Sequence, residues 1–579
     1  MNKLFPVYTL KNECHDCYRC VRECHVKAIK IKDGHASVLS EKCINCGECV
    51  KSCPSNAKRI RYDINRVKAI MSSGKKVYVS LAPTWVGVFD YSASKMIALL
   101  KKLGFEGVSE TALGAQEVSI KTAEILNKSE KGLYISSACP VIVEYIRLYY
   151  PKFAPNIVPI ASPALTHAKM LKEQFGEDIA VVFIGPCVAK KSEADRHPNL
   201  ITVSLTFEEL NYWIKEEFID VNNLQINPNE SFVLANSNEG AIYPIEGGMN
   251  ETIKQVGIDD STQLLSISSL NAFDKSIKNL DPKKLDKKIF IEALACSGGC
   301  INGPCISSSK STVNVTSNIL KNVKYRENVP NASKTVVEEN YEAKPVESHI
   351  YPLNEIEEAM KRIGKYTEED DLNCGGCGYK TCRDLANALI SGEAEPSMCV
   401  SYMRKIAMQK AAAMLRCMPS AMVMVNNDLN IMEANDSFMK MFCEEAMYEI
   451  LSQSNDGLKG AAIDRIVDFG DVFKDALKSG KDIHKEHHII NNRIYDISAF
   501  TVEKGLLVGA IITDVTKSET NREKIATKAH EVISKNIAIV QNIACLLGEH
   551  MVETELLLNS IAQGYDVKTE TQNNEASEK

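Results

Sequence analysis

The chain has no apolar run approaching the roughly 20 residues that cross a bilayer. Its opening, MNKLFPVYTLKNEC, turns polar too soon for a signal peptide. It also lacks a basic excess: net charge is −7 over 579 residues, which gives no electrostatic footprint for nucleic acid. The expectation is therefore a cytoplasmic protein with neither membrane nor nucleic acid as partner. Hydrophobic content of 45% and charge of 25% are ordinary for soluble domains, and the length calls for several of them.

Cysteine is abundant instead. The 20 cysteines are clustered, and such clusters in a long intracellular chain are metal ligands more often than disulfides. Residues 14–24 read CHDCYRCVREC; residues 43–53 read CINCGECVKSC, followed by Pro54. Each is Cys-x2-Cys-x2-Cys-x3-Cys, the two-cluster ferredoxin spacing, in which the fourth Cys serves the other cluster. Cys14, Cys17, Cys20 and Cys53 are thus assigned to one [4Fe–4S] cluster. Cys43, Cys46, Cys49 and Cys24 take the second. A zinc site would instead want pairs of Cys-x2-Cys. His25 stands where Pro usually follows the last Cys; His15 and His25 are read as solvated loop residues. The role is electron relay, and exposed clusters imply anaerobic or oxygen-protected life.

From Lys75 the pattern becomes α/β. KVYVSLAP reads as a buried strand, and SKMIALLKKLGF as an amphipathic helix ending at Gly104. GLYISSA, IAVVFIG, SFVLAN and KIFIEALA are further apolar segments, each ending in a loop. Sites at the carboxyl ends of strands are the α/β habit, so distant cysteines can meet in one cleft.

Three of those loops are SSACP (136–140), GPCVAKK (185–191) and EALACSGGCINGPC (292–305). Together they resemble the cysteine motifs of iron-only ([FeFe]) hydrogenases, over roughly residues 1–310. By resemblance, Cys139, Cys187, Cys296 and Cys300 are the ligands of the cubane half of the H-cluster, and Cys300 also bridges to the two-iron half, with its CO, CN and dithiolate. Lys190 resembles the lysine that hydrogen-bonds a cyanide. Ala82-Pro83-Thr84 resembles the loop packed on the dithiolate, and Gly247-Gly248-Met249 a turn lining the pocket. Four soft thiolates suit a cubane, and a long-stemmed ammonium suits a buried cyanide. The cofactor carries the chemistry, and hydrogenase maturation proteins are implied as partners.

The departures from that pattern are specific. Ala138 stands where efficient members place a cysteine that passes protons to the bridge, and a methyl cannot relay a proton. After Gly114-Ala115 the segment QEVSIKTAE is not the paired-Glu segment of that relay, while Glu193 matches a downstream acid. Leu294 and Gly185 replace methionines that pack the two-iron half. Cys305 replaces a glycine, either tuning the site or lying as an unliganded buried thiol. His167 is read as structural.

Residues 311–372 are polar and read as a connector wrapping the hydrogenase part. Cys374, Cys377, Cys382 and Cys399 then have Cys-x2-Cys-x4-Cys-x16-Cys spacing, resembling a small four-cysteine [4Fe–4S] domain, with a zinc knuckle as the alternative. Residues 411–517 resemble a PAS sensory domain: strand, turn at Asn426–Asp428, strand, helix at Ala434-Asn435-Asp436, then strands ending in Asp514-Val515-Thr516. His484, His487 and His488 are read as core and surface residues, and Cys417 and Cys443 as structural. In the last helix Ile525, Ala529, Val532, Asn536, Ile539, Ile543 and Leu546 form a heptad seam with a polar a position, expected to make a homodimer; a helix packed back on the PAS part is the alternative. His530 in KAHEV does not look like a phospho-acceptor box.

The expected architecture is multidomain: a ferredoxin-like 2[4Fe–4S] α+β domain at 1–65, an α/β H-cluster domain at 66–350, a four-cysteine domain at 351–408, an α+β PAS domain at 409–517, a dimerisation helix at 518–563 and a disordered tail at 564–579. Two functions fit. One is a low-turnover hydrogen sensor signalling through the PAS part to a separate kinase or phosphatase. The other is a metabolic hydrogenase coupled to a ferredoxin-type electron partner. The implied catalytic positions are Lys190, Ala138 and Cys300, and the substrates are hydrogen and protons.

Overall fold

A computed structural model describes residues 5–569 apart from 228–229, 307–309, 331, 348, 453 and 455–456. Two compact units result, Met1–Met403 and Arg404–Lys579.

The first unit opens with short strands β1 (Val7–Thr9), β2 (Ile29–Lys32), β3 (His35–Val38) and β4 (Lys58–Ile60), paired antiparallel as β1–β4 and β2–β3. The cysteine runs lie between them. Their loops turn through left-handed residues, Tyr18 at φ 55° and Gly47 at φ 79°. At Gly47 a side chain would strike Pro304, so the glycine lets the ferredoxin loop approach the cysteine loop after residue 294.

Two parallel sheets follow. Strands β5 (Val77–Leu81), β6 (Gly107–Glu110), β7 (Gly132–Ile135), β8 (Ala180–Gly185), β9 (Val203–Thr206), β10 (Thr262–Ser268) and β11 (Lys288–Leu294) divide into the orders β6-β5-β8-β9 and β10-β11-β7. Every residue of β5 and β8 is buried, as expected where helices cover both faces. The four motif loops leave the carboxyl ends of β5, β7, β8 and β11, two from each sheet.

Some expectations change. SFVLAN does not form a strand: Val233 N–H donates to Val108 O beside β6, and Leu234 turns to φ 73°, which ends pairing. Strand β10 was not anticipated, because its side chains are half-exposed and its apolar run is short. His25 is not solvated; its Nε2 is 2.9 Å from the Tyr145 hydroxyl.

The connector is a strap. Residues 332–347 lie across the α/β part, with Ala161 N donating to Val337 O at 2.8 Å and Lys344 N to Arg147 O at 2.9 Å. The four-cysteine segment then returns to the N-terminus. Its helix Cys382–Ile390, capped by Thr381 and Asp384, shares one core with Val7, Val21, Ile29 and Ile31.

Strands β12 (Ala421–Asn426), β13 (Ile431–Ala434), β14 (Ile483–Ile490), β15 (Arg493–Glu503) and β16 (Leu507–Asp514) form an antiparallel sheet in the order β13-β12-β16-β15-β14. Phe438, Phe469 and Phe473, from the helices after β13, are fully buried in its core. Asn435 caps the helix Asp436–Phe442: its Oδ1 accepts from Phe438 N and Met422 N, both at 2.9 Å. The last helix runs Thr516–Thr569, beyond the expected end at 563. One glycine, Gly564, costs a helix only about 1 kcal/mol, too little to stop it. The rest of the expected disordered tail, 570–579, lies outside the described residues.

Candidate active site

The four loops enclose one cavity. Its wall includes Cys139, Cys187, Cys296 and Cys300, together with Ala82, Pro83, Thr84, Ala138, Lys190 and Leu294. Burial pushes the thiol of Cys187 up to about 11, with the nearby Cys139 adding to it. Cys296 and Cys300 are also raised, by burial first and then by Cys139 and Cys187, with Cys300 adding to the rise at Cys296. Four thiols thus share one desolvated space, and all are free of disulfides. No group of three or more His, Cys, Asp or Glu among the described residues converges as a site for a single metal ion. The thiols surround a volume instead of a point.

Lys190 is 8% exposed, and its Nζ donates to Ser162 Oγ at 2.8 Å and Glu193 Oε2 at 2.6 Å. The neighbouring Lys191 faces away. It is fully buried against Asp63 at 2.9 Å and Glu209 at 2.7 Å, fastening the helix Ala189–Arg196 to the segment after the ferredoxin part. Gly185 leaves no room for a larger residue: a side chain there would meet the Phe183 ring at 2.7 Å, and Phe183 lines the cavity. Phe183 thus supplies bulk beside the methionine-free position. Gly299, at φ 104°, would drive a side chain into Pro244 O at 2.2 Å, so only glycine serves between Cys296 and Cys300. Of the Gly-Gly turn, Gly248 and Met249 start the helix Gly248–Val256; none of the three is part of the cavity wall.

Ala138 presents its methyl on the wall. Behind it Ser136 is buried; its Oγ accepts from Ala138 N at 3.2 Å and donates to Met249 Sδ at 3.1 Å. Met249 N in turn donates to Glu292, a carboxyl 2% exposed that also accepts from Ser266 Oγ at 3.1 Å. Burial raises Glu292 to about 7 against the pull of those hydrogen bonds. It is a group that exchanges a proton near neutrality, and neither Glu292 nor Ser136 was singled out from the sequence. The only signal was an acid inside an otherwise apolar strand. The segment QEVSIKTAE turns Val118 and Ser119 inward, while Glu117 holds Ser333 and Lys334 of the strap.

Cys305 is absent from the cavity wall. It is fully buried in the core shared with the ferredoxin part, beside Val188. His167 is clamped between Ser80 Oγ at 2.7 Å and Ser109 Oγ at 2.9 Å, and burial lowers it to about 3, so it stays neutral.

The ferredoxin cysteines lie close to one another. Burial raises Cys20 to about 11, with Cys14, Cys17 and Cys53 as its thiol neighbours. Cys46 is raised by burial and then by Cys24, Cys49 and Cys43. Cys46 also lines the active-site cavity and acts on Cys296, so the second cysteine set abuts the four-thiol site. Cys374, Cys377, Cys382 and Cys399 line a separate small cavity.

Residues 75–304 match the family described as "Iron only hydrogenase large subunit, C-terminal domain". The chain carries an iron-only hydrogenase domain. Residues 13–57 match a 4Fe-4S dicluster domain, and residues 370–401 a putative Fe-S cluster family. The chain is 27% identical over 288 residues to the periplasmic [Fe] hydrogenase large subunit of Nitratidesulfovibrio vulgaris, covering 41% of this chain and 68% of that protein. It is 23% identical over 358 residues to iron hydrogenase 1 of Clostridium pasteurianum, covering 50% and 62%. The chain thus spans about two thirds of the length of these relatives. Among solved structures, the [FeFe]-hydrogenase HydA1 of Chlamydomonas reinhardtii aligns with a TM-score of 0.40 at 19% identity, over 49% of this chain and 100% of that one.

The hydrogenase domain is of the H-cluster-binding type, and the dicluster domain of the [4Fe–4S] type. The residues present fit those groups. The cavity offers four unpaired thiols, and its Thr84 hydroxyl is buried without a hydrogen-bond partner. No helix of the described residues is long and apolar enough to cross a membrane.

Proposed function

We propose that this protein binds hydrogen at an H-cluster held by Cys139, Cys187, Cys296 and Cys300, turns it over slowly, and reports the resulting redox state through its C-terminal unit. Ala138 carries the reading: the thiolate set and Lys190 are kept, while the wall position that would pass protons is a methyl. The bound cofactor would supply hydrogen activation and electron storage. The chain's own residues do the rest. Lys190, aligned by Ser162 and Glu193, offers an ammonium to an anionic ligand inside the cavity. Phe183, Leu294 and Ala138 exclude water from it. Glu292 holds a proton behind Ala138, but the thioether and amide of Met249, which join Ser136 to Glu292, cannot relay it to the cavity. Cys46 brings the second ferredoxin cluster to the cavity wall, so electrons leave toward the N-terminal domain.

We read residues 409–517 as a PAS domain, supported by the strand order β13-β12-β16-β15-β14 and by the Asn435 cap. The final helix leaves Ile525, Val532, Ile539, Ile543 and Leu546 exposed, as a homodimer seam requires. Output then passes to a separate kinase or phosphatase. The second reading is a metabolic hydrogenase working with a ferredoxin-type partner; the contact of Cys46 with the cavity favours it as much as the first.

Infrared spectroscopy of anaerobically matured protein during a hydrogen titration separates them. Carbonyl and cyanide bands that shift at low hydrogen, with poor turnover in the same sample, support the sensor. Shifts with fast turnover support the metabolic enzyme. Bands that never appear would overturn both.

A further inference from the structure

Lys58 begins β4 opposite Thr9, in the middle of the ferredoxin domain. It is 2% exposed. Its Nζ donates to Thr9 Oγ1 at 2.7 Å and lies 3.4 Å from Ala36 O. No carboxylate is within ion-pair distance of it among the described residues, whereas Lys190 has one and Lys191 two. An ammonium buried without a counter-charge is strongly disfavoured, so its partner must be an anion of another kind. The groups that feel its charge are thiols of both ferredoxin sets. Ala36, to which it donates, packs in one core with Cys20, Cys24 and Cys49, thiols of both sets, and the charge of Lys58 acts on Cys20, Cys43 and Cys49. Its own backbone N–H faces Cys53. Cys20 and Cys53 belong to one set, Cys43 and Cys49 to the other.

We infer that Lys58 is a shared counter-ion between the two N-terminal [4Fe–4S] clusters, and that its fixed charge raises both of their reduction potentials. The inference rests on the ligand sets proposed above. A thiolate-ligated cluster is anionic, and one added electron makes it one charge more negative with no proton required. A cation that acts on ligands of both clusters stabilises each reduced state. It therefore favours electrons resting on the ferredoxin domain after they leave the active-site cavity. Cluster potentials respond to net charge and burial in this way. The four-cysteine cluster lies outside the two ligand sets on which Lys58 acts and serves as the internal control.

The test is a dithionite redox titration of the full chain, read by electron paramagnetic resonance. Lys58→Met should shift both N-terminal clusters at least tenfold toward the oxidised form, which is 59 mV lower for a one-electron couple. Lys58→Arg should restore them, and the four-cysteine cluster should not move. Lys58→Gln, which keeps a hydrogen bond to Thr9, guards against misfolding of the Met variant and should shift the same way. Unchanged potentials in a neutral variant that retains both clusters would overturn the role, as would an equal shift of all three clusters. Absence of both cluster signals in the parent protein would overturn the ligation, and the role of Lys58 with it.

Discussion

The hydrogenase cavity and the C-terminal sheet unit bury polar groups in opposite ways. Around the cavity, the Thr84 hydroxyl lacks a hydrogen-bond partner, four thiols crowd together, and Glu292 is held far above its usual range. In the C-terminal unit the buried Asn435 is fully used, accepting from Met422 and Phe438 and donating to Leu415 O and Ser420 O. The first region is unfinished without something bound. In the second, Asn435 spends its hydrogen bonds within the protein.

Substitutions can break or sharpen that contrast. Cys300→Ala removes a cubane ligand and should abolish the infrared bands of matured protein while leaving the C-terminal unit folded; bands of normal intensity would refute its ligation. Glu292→Gln should act through pH. A carboxyl at about 7 in the folded protein against 4.5 unfolded binds more protons when folded, so stability falls as pH rises from about 4.5 to 7. The cost at alkaline pH is about 3 kcal/mol. The Gln variant should lose that slope in denaturant titrations, and an unchanged slope would assign it elsewhere. Ala138→Cys should raise turnover about 10²-fold, the lower range for positioned proton transfer. No rise would show that the missing thiol is not the limiting step. Asn435→Ala, by contrast, should lower the stability of the C-terminal unit by about 1–2 kcal/mol through loss of its cap. It should leave hydrogen turnover intact.

How much of this was legible depended on how local each constraint is. Cluster ligands are spaced by short loops, so Cys14–Cys24 and Cys43–Cys53 announced their sets. Apolar runs ending in motif loops announced β5, β7, β8 and β11. SFVLAN misled because an apolar run reads alike whether it pairs in a sheet or, like Phe232, only fills a core beside Trp85. Phe183 beside Gly185 could not be foreseen, since two alternate residues of one strand exchange volume only once the loop is folded. Ser136 and Glu292 were hidden for a related reason: each matters through Met249, more than 40 residues away.

The shared core of the ferredoxin and four-cysteine segments has a consequence for biosynthesis. Ile31 N donates to Glu393 O, and Asp33 N to Glu395, so the ferredoxin segment is sealed by a part of the first unit made more than 300 residues later. Closing so long a loop costs little more than closing a short one, because the entropy grows only with the logarithm of length. Time is the larger constraint. At about 5–20 residues per second, Cys399 follows Cys53 by roughly 20–70 s. Through that interval the N-terminal thiols stand with one wall missing, open to whatever delivers iron and sulfide, and to oxygen.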